Sequence, residues 1–241
     1  MANNAWWLIG LVFIVFLLDW LAIAFSWRKA ECILKPLAMV LVIVWTLTAS
    51  GWGFDMLIIL LVVAQVFGLI GDIFLLLSPR WFLIGLSAFL AGHLMYIGMM
   101  VWHIYNSVSQ NGFKSHTGWW VVLSFLLWAA MLVLFYRIIA PKSPRLTMPL
   151  MLWIPIQAYG WILGSLVVAS IVVIATAVDA SLMMLFLLIG ALLFFTSDSL
   201  LAYDRFKRKM PKVRVWIMIT YHLAQLSLAV GFLTLMGVFR G

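Results

Sequence analysis

The sequence predicts an all-α fold: a polytopic transmembrane bundle of about eight helices. Three observations carry this. The 241 residues are 67% hydrophobic and only 9% charged, whereas soluble domains run near roughly 45–50% and about 25%. The apolar residues fall in long unbroken runs with no period-2 alternation, which excludes an outer-membrane barrel. At roughly 20 residues per crossing, eight helices consume about two-thirds of such a chain. Short loops remain and no extramembrane domain, so residues 1–241 read as a single integral membrane domain.

The spans, in order, are about 5–26, 33–50, 56–77, 81–105, 118–139, 147–172, 180–203 and 214–238. The first run has no Lys or Arg before it, which makes a poor signal peptide and a good retained helix. Pro36 is expected in the first turn of the second span, where a missing N–H costs nothing. Gly51 to Asp55, Ser78-Pro79-Arg80 and Asn106 to Gly118 punctuate the next three spans. Pro149 and Pro155 should kink or shorten the start of the sixth. Arg205 to Lys212 separates the last two. The lone cysteine, Cys32, allows no intrachain disulfide.

The net charge is +8, yet its distribution points to topology and away from nucleic acid. Thirteen of the fifteen Lys and Arg residues fall at odd-numbered loops, and only Lys114 and Arg240 on the other side. The positive-inside rule then puts the odd loops in the cytoplasm and both termini outside. A faint duplication accompanies this. Gly71-Asp72 is followed by His93, and Ser197-Asp198 by His222, at equivalent places in a 4+4 internal repeat. Such halves would be parallel, related by an axis along the membrane normal.

Seven acidic residues exist. Glu31, Asp55, Asp179 and Asp204 sit at loops or span ends, where water can solvate them. Asp19, Asp72 and Asp198 lie inside spans. An aspartate at a helix centre costs about 2.5–3.5 kcal/mol, so such residues are functional candidates that need a cavity or a partner. Counting from the cytoplasmic ends, Asp72 and Asp198 lie about 7–8 Å deep, Asp19, Tyr221 and His222 about 11–12 Å, and His93 nearer 18 Å. Polar residues gathered in one half of the bilayer imply a single cavity opening to the cytoplasm.

Helical spacing sharpens the candidates. Gln65, Gly68 and Asp72 share a face, as do Phe89, Gly92/His93 and Tyr96. Gly190, Phe194 and Ser197/Asp198 share another, and Tyr221 pairs with Gln225. Asp72 and Asp198 are the candidate catalytic pair. Lys35, His93, Tyr96, Tyr221, His222 and Gln225 are candidate substrate-binding residues, with Lys35 placed at the cavity mouth for a phosphate. Gln65, Gln157 and Tyr159, each taken alone, read as polar glue between helices. No G-x-S-x-G turn offers a nucleophile, and no H-x-x-x-H or C-x-x-C offers a metal motif. We expect neither metal nor cofactor.

Five motifs in order then resemble a known family. They are Lys35-Pro36, Gly71-Asp72, F-L-A-G-H-L-M-Y over 89–96, F-F-T-S-D-S-L-L-A over 194–202, and T-Y-H-L-A-Q over 220–225. Together they resemble the YhhN-like lysoplasmalogenase family over about 30–231. The resemblance implies a multi-pass membrane hydrolase that cleaves the vinyl ether of lysoplasmalogens to a fatty aldehyde and a glycerophospho-base. It maps the suspected catalytic aspartates onto Asp72 and Asp198. The family often has a second tyrosine where this chain has His222.

The chemistry of the residues fits. A vinyl ether hydrolyses by proton transfer to carbon, and water traps the oxocarbenium ion. Glycosidases meet the same need with one protonated and one ionised carboxyl. The implied partners are a lysophospholipid substrate and membrane lipid, with no nucleic acid. The expected location is a bacterial cell membrane, the site opening to the cytoplasmic leaflet. A rival reading is a proton-coupled transporter, since paired intramembrane carboxylates and a two-fold repeat suit it equally.

The charge asymmetry makes a direct prediction. With Cys32 replaced by serine, a cysteine at 208 should react with membrane-impermeant thiol reagents only from the cytoplasmic side. Labelling from outside would reverse the orientation.

Overall fold

The structure is a computed structural model and describes residues 6–53, 55–112, 115–139, 150–177 and 182–239. Eight α-helices run in chain order: α1 (Trp6–Ala24), α2 (Arg28–Ala49), α3 (Met56–Leu77), α4 (Phe82–Asn111), α5 (Ser115–Ile139), α6 (Leu150–Thr176), α7 (Leu185–Phe206) and α8 (Val213–Leu235). Single 3-10 turns, Pro79–Trp81 and Leu182–Met184, lead into α4 and α7. Every one of the eight is long and apolar enough to cross a membrane, and no strand occurs among the described residues. The chain is an integral multi-pass helical bundle. Lys114, Lys142, Arg145, Pro149, Asp179 and Arg240 lie outside the described residues.

Two boundaries differ from the sequence expectation for identifiable reasons. Helix α2 begins at Arg28, five residues before the apolar run. Arg28 and Glu31 form an ion pair at 3.2 Å across its first turn, and an acidic residue there complements the helix's positive end. Pro36 consequently sits in the third turn, and the helix continues through it, as α6 continues through Pro155. Helix α4 runs on to Asn111 and stops at Gly112, whose φ of 72° lies in the left-handed region. Its 30 residues span about 45 Å, more than the ~30 Å hydrocarbon layer, so its polar end projects beyond the apolar core.

Helix α8 is the central pillar. In its spanning stretch 72% of residues are buried, against 22% in α5. It packs most extensively on α7 and also touches α1, α2 and α3. Helix α5 instead presents Trp119, Phe125 and Leu126 to the lipid side. The contact pattern repeats between halves. The pairs α1–α2, α2–α3, α3–α4 and α2–α8 correspond to α5–α6, α6–α7, α7–α8 and α6–α4. The contacts of α1 and α3 with α8 and of α5 with α7 break that correspondence.

Close helix approach depends on small residues. A Cβ at Gly92 would lie 2.9 Å from the Ala64 carbonyl oxygen, a backbone atom that cannot swing aside, whereas a Cβ at Gly98 meets nothing within 4 Å. Gly92→Ala should therefore lower stability by about 1–3 kcal/mol. Gly98→Ala, on the exposed face of the same helix, should be neutral or stabilising by a few tenths. Thermal unfolding of the detergent-solubilised pair tests this; equal behaviour would contradict the packing of α3 on α4.

Candidate active site

Four helices converge on Asp72. Helix α3 carries Gln65, Gly68 and Asp72 on one buried face, as their spacing requires. Helix α2 brings Lys35, whose Nζ lies 3.1 Å from Asp72 Oδ1; the two side chains are 8% and 1% exposed. Helix α8 places the Tyr221 hydroxyl facing Asp72. Gln225, one turn on, donates from Nε2 to that hydroxyl at 3.3 Å and accepts on Oε1 from the Tyr96 hydroxyl of α4 at 3.0 Å. A polar chain thus runs Tyr96–Gln225–Tyr221 to the Lys35–Asp72 pair. Gln65 stands apart from it, donating to Thr46 Oγ1 at 2.9 Å.

Lys35 lines the cavity from inside, deeper than the mouth position expected from the sequence. Because α2 starts at Arg28, Lys35 lies two turns in, and its ammonium is committed to Asp72.

Asp198, on α7, has a different partner. The Tyr159 hydroxyl of α6 donates to its Oδ2, and no lysine or arginine pairs with it among the described residues. Asp198 lies within electrostatic reach of Asp72. Between the two carboxyls stand aromatic rings. Tyr221 meets Phe89 and Phe194 edge-on at 5.6 and 5.7 Å, and His93 meets Phe194 at 4.7 Å and Tyr159 at 5.8 Å. His93 is buried, and neither ring nitrogen makes a well-formed hydrogen bond. His222 looks toward α1. Its Nδ1 accepts from Trp20 Nε1 at 3.1 Å, and its ring stacks on Phe16 at 4.4 Å.

Two acidic residues behave unlike the sequence expectation or resolve it. Asp19 is completely buried, with neither oxygen hydrogen-bonded, in electrostatic reach of Lys35 and Asp72. Glu31, expected to be solvated, is 4% exposed and bridges Arg28 to Arg214 of α8. Tyr159, which its sequence context alone marks as polar glue between helices, joins α6 to α7 through its hydroxyl on Asp198. The available signal was helix order: α6 precedes α7 as α2 precedes α3, and each of these helices supplies the partner of an aspartate on the next.

A cavity of about 400 Å³ opens at the loop end of α2, α3, α7 and α8. Lys35 lies in its wall, and Leu75, Leu201 and Met218 are among its deeper residues. Asp72, Asp198 and Tyr221 each lie three residues, about one helical turn, farther from the loop end and are not in the wall. The expected shared cavity is therefore divided. Asp198 and Tyr159 border a separate void of about 20 Å³ with Phe82 and Leu86. Among the described residues, no three His, Cys, Asp or Glu side chains gather closely enough to hold a metal.

The chain matches the YhhN family model over residues 30–232. The chain belongs to the YhhN family. Lysoplasmalogenase TMEM86B of Homo sapiens is 30% identical over 213 residues, covering 86% of this chain and 76% of the relative. The Mus musculus protein of that name is 30% identical over 206 residues, 84% and 74% of the two chains. That of Rattus norvegicus is 28% identical over 211 residues, 86% and 74%. No solved structure matches this YhhN chain.

The buried pair makes a stability prediction for this YhhN protein. Lys35→Met leaves Asp72 without its counter-charge, and breaking one side of a buried pair costs about 3–5 kcal/mol. The double variant Lys35→Met/Asp72→Leu should recover most of that loss. Thermal unfolding of both proteins checks it; a double variant no more stable than the single would show that the pair is not a unit.

Proposed function

We propose that this protein is a membrane-embedded hydrolase that cleaves the vinyl ether bond of lysoplasmalogens. Its family membership and the lysoplasmalogenase name of its relatives support the activity. The observation that carries the mechanism is the unequal setting of two buried carboxyls: Asp72 faces a lysine, Asp198 a tyrosine hydroxyl.

The reaction needs one carboxyl that stays ionised and one that carries a proton. Asp72, held against the Lys35 ammonium, suits the first role, and Asp198, with a neutral partner, suits the second. Asp198 gives its proton to the vinyl carbon remote from the ether oxygen. Asp72 stabilises the resulting oxocarbenium ion and takes a proton from the attacking water. The hemiacetal collapses to the fatty aldehyde and frees the glycerol hydroxyl, and the proton taken up is returned to Asp198. Tyr221, positioned through Gln225 and Tyr96, orients Asp72. Phe89, His93 and Phe194 wall the reacting carbon from bulk water and leave the single attacking water beside Asp72. We place the cavity mouth at the cytoplasmic leaflet, because its rim carries the cations that the positive-inside rule retains there. The transporter reading is not favoured, since the relatives are named for hydrolysis.

The test is aldehyde release from lysoplasmalogen by the purified protein. Asp72→Asn and Asp198→Asn should each lower turnover by about 10²–10⁴, the usual contribution of a positioned acid or base. In heavy water the aldehyde should carry one deuterium on the adjacent carbon, and the saturated ether analogue should bind without cleavage. An undeuterated aldehyde, with exchange excluded, would remove carbon protonation from the mechanism.

A further inference from the structure

The cavity rim holds a second tier of charge that the proposed chemistry does not use. Arg28, Arg205, Lys209 and Arg214 line it, with Glu31 and Asp204 as the acidic residues. Glu31 occupies Arg28 and Arg214, and Asp204 accepts from Lys209 at 2.7 Å. Arg205 has no carboxylate among the described residues. Its guanidinium lies over the Phe82 ring, 4.9 Å from the centroid, with both residues in the cavity wall.

The rim is in register with the buried tier. Arg28 precedes Lys35 by seven residues on α2, Arg205 follows Asp198 by seven on α7, and Arg214 precedes Tyr221 by seven on α8. Seven residues are two turns on one face, about 10 Å of rise. A topology signal needs cations somewhere in the loops and no register. Lys29, Arg80, Arg208 and Lys212 serve that purpose and are not in the cavity wall.

We propose that this cation tier is the phosphate subsite for the lysolipid head group, with Arg205 as its anchoring residue. The proposal rests on the hydrolase reading above and adds a ruler to it. In a lysoplasmalogen, seven bonds separate phosphorus from the vinyl carbon to be protonated, roughly 8 Å at the per-bond rise of an extended chain. With the phosphate at the rim, that carbon reaches the level of Asp72 and Asp198. Leu75, Leu201 and Met218 must part to admit it. Guanidinium pairs with phosphate in a planar fork that lysine cannot reproduce.

The experiment compares three substrates on the purified full chain: 1-alkenyl-glycerophosphoethanolamine, the phosphate-free 1-alkenylglycerol, and an alkenyl ether of ethylene glycol phosphate, one carbon shorter. Arg205→Gln should raise KM for the first by about tenfold or more with kcat within threefold, and Arg205→Lys should recover only part of the loss. The phosphate-free analogue should show the raised KM already in the wild type, and Arg205→Gln should add nothing to it. The shortened phosphate should keep its KM and lose kcat by tenfold or more. An alkenylglycerol KM equal to that of the phospholipid, or full kcat on the shortened substrate, would overturn the proposal. Should no substrate yield aldehyde, the hydrolase reading fails and binding decides the subsite alone. Calorimetry should then show glycerophosphoethanolamine bound at least tenfold more weakly by Arg205→Gln. Inorganic phosphate binding equally tightly would make this a free-phosphate site and overturn the head-group assignment, as would no binding at all.

Discussion

A full charge pair inside a lipid-facing bundle sets the terms for everything around it. Neither Lys35 nor Asp72 could stay ionised there alone, since each costs a few kcal/mol at the centre of a spanning helix. Held 3.1 Å apart, they offset one another only if the surrounding wall is dense and its polar groups are matched. That requirement fixes α2 against α3 and draws α8 inward to supply Tyr221. It also explains why position 68 is glycine. A Cβ there would lie 2.6 Å from Gln225 Nε2, inside the polar chain that links Tyr96 to Tyr221. The tight helix contact and the polar chain are one constraint seen from two sides.

Much of the fold was legible because lipid is a simple solvent. With no water to satisfy the backbone, helices long enough to cross are the only economical structure for these apolar runs, and their number and centres could be counted directly. The ends were less legible. The start of α2 is decided by Arg28 and Glu31, a charge pair that hydropathy scores as loop. From that one displacement follow three others: Pro36 moves into the helix, Lys35 moves inward to Asp72, and Glu31 becomes a buried bridge to Arg214. Apolar runs report where lipid is, while the ends of α2 and α4 are set by an ion pair and by a glycine that no hydropathy count weighs.

The site was legible to the degree that polar residues stand out against an apolar background. Asp72, Asp198, His93, Tyr221 and Gln225 were visible for that reason, and all are buried. Tyr159 was less visible, because one tyrosine in an apolar helix has many uses and its importance comes from an aspartate 39 residues on. The division of the cavity was not visible at all. Whether Leu75, Leu201 and Met218 separate the mouth from the aspartates depends on how three helices pack, and no spacing within one helix encodes it.

The repeated contact pattern gives the two carboxyls a common frame and makes their difference informative. Asp72 on α3 takes its partner from α2, and Asp198 on α7 takes its partner from α6, the corresponding helix. Equal frames would give two equivalent carboxyls at one depth. Equivalent carboxyls are poor acid–base chemistry, since the reaction proposed here needs one proton donor and one anion at the same moment. In the proposed mechanism, exchanging a single partner, lysine in one half and tyrosine in the other, separates their roles. The cations are unequal as well: Arg28 of α2 pairs with Glu31, while Arg205 of α7 lies on Phe82 with no carboxylate partner among the described residues. In the proposed mechanism the two halves divide the labour at both depths. One half would hold the negative charge and its counter-ion. The other would hold the transferable proton and, two turns above it, Arg205. A lipid bound head-first at the rim would then bring its vinyl carbon to the half where the proposed protonation begins.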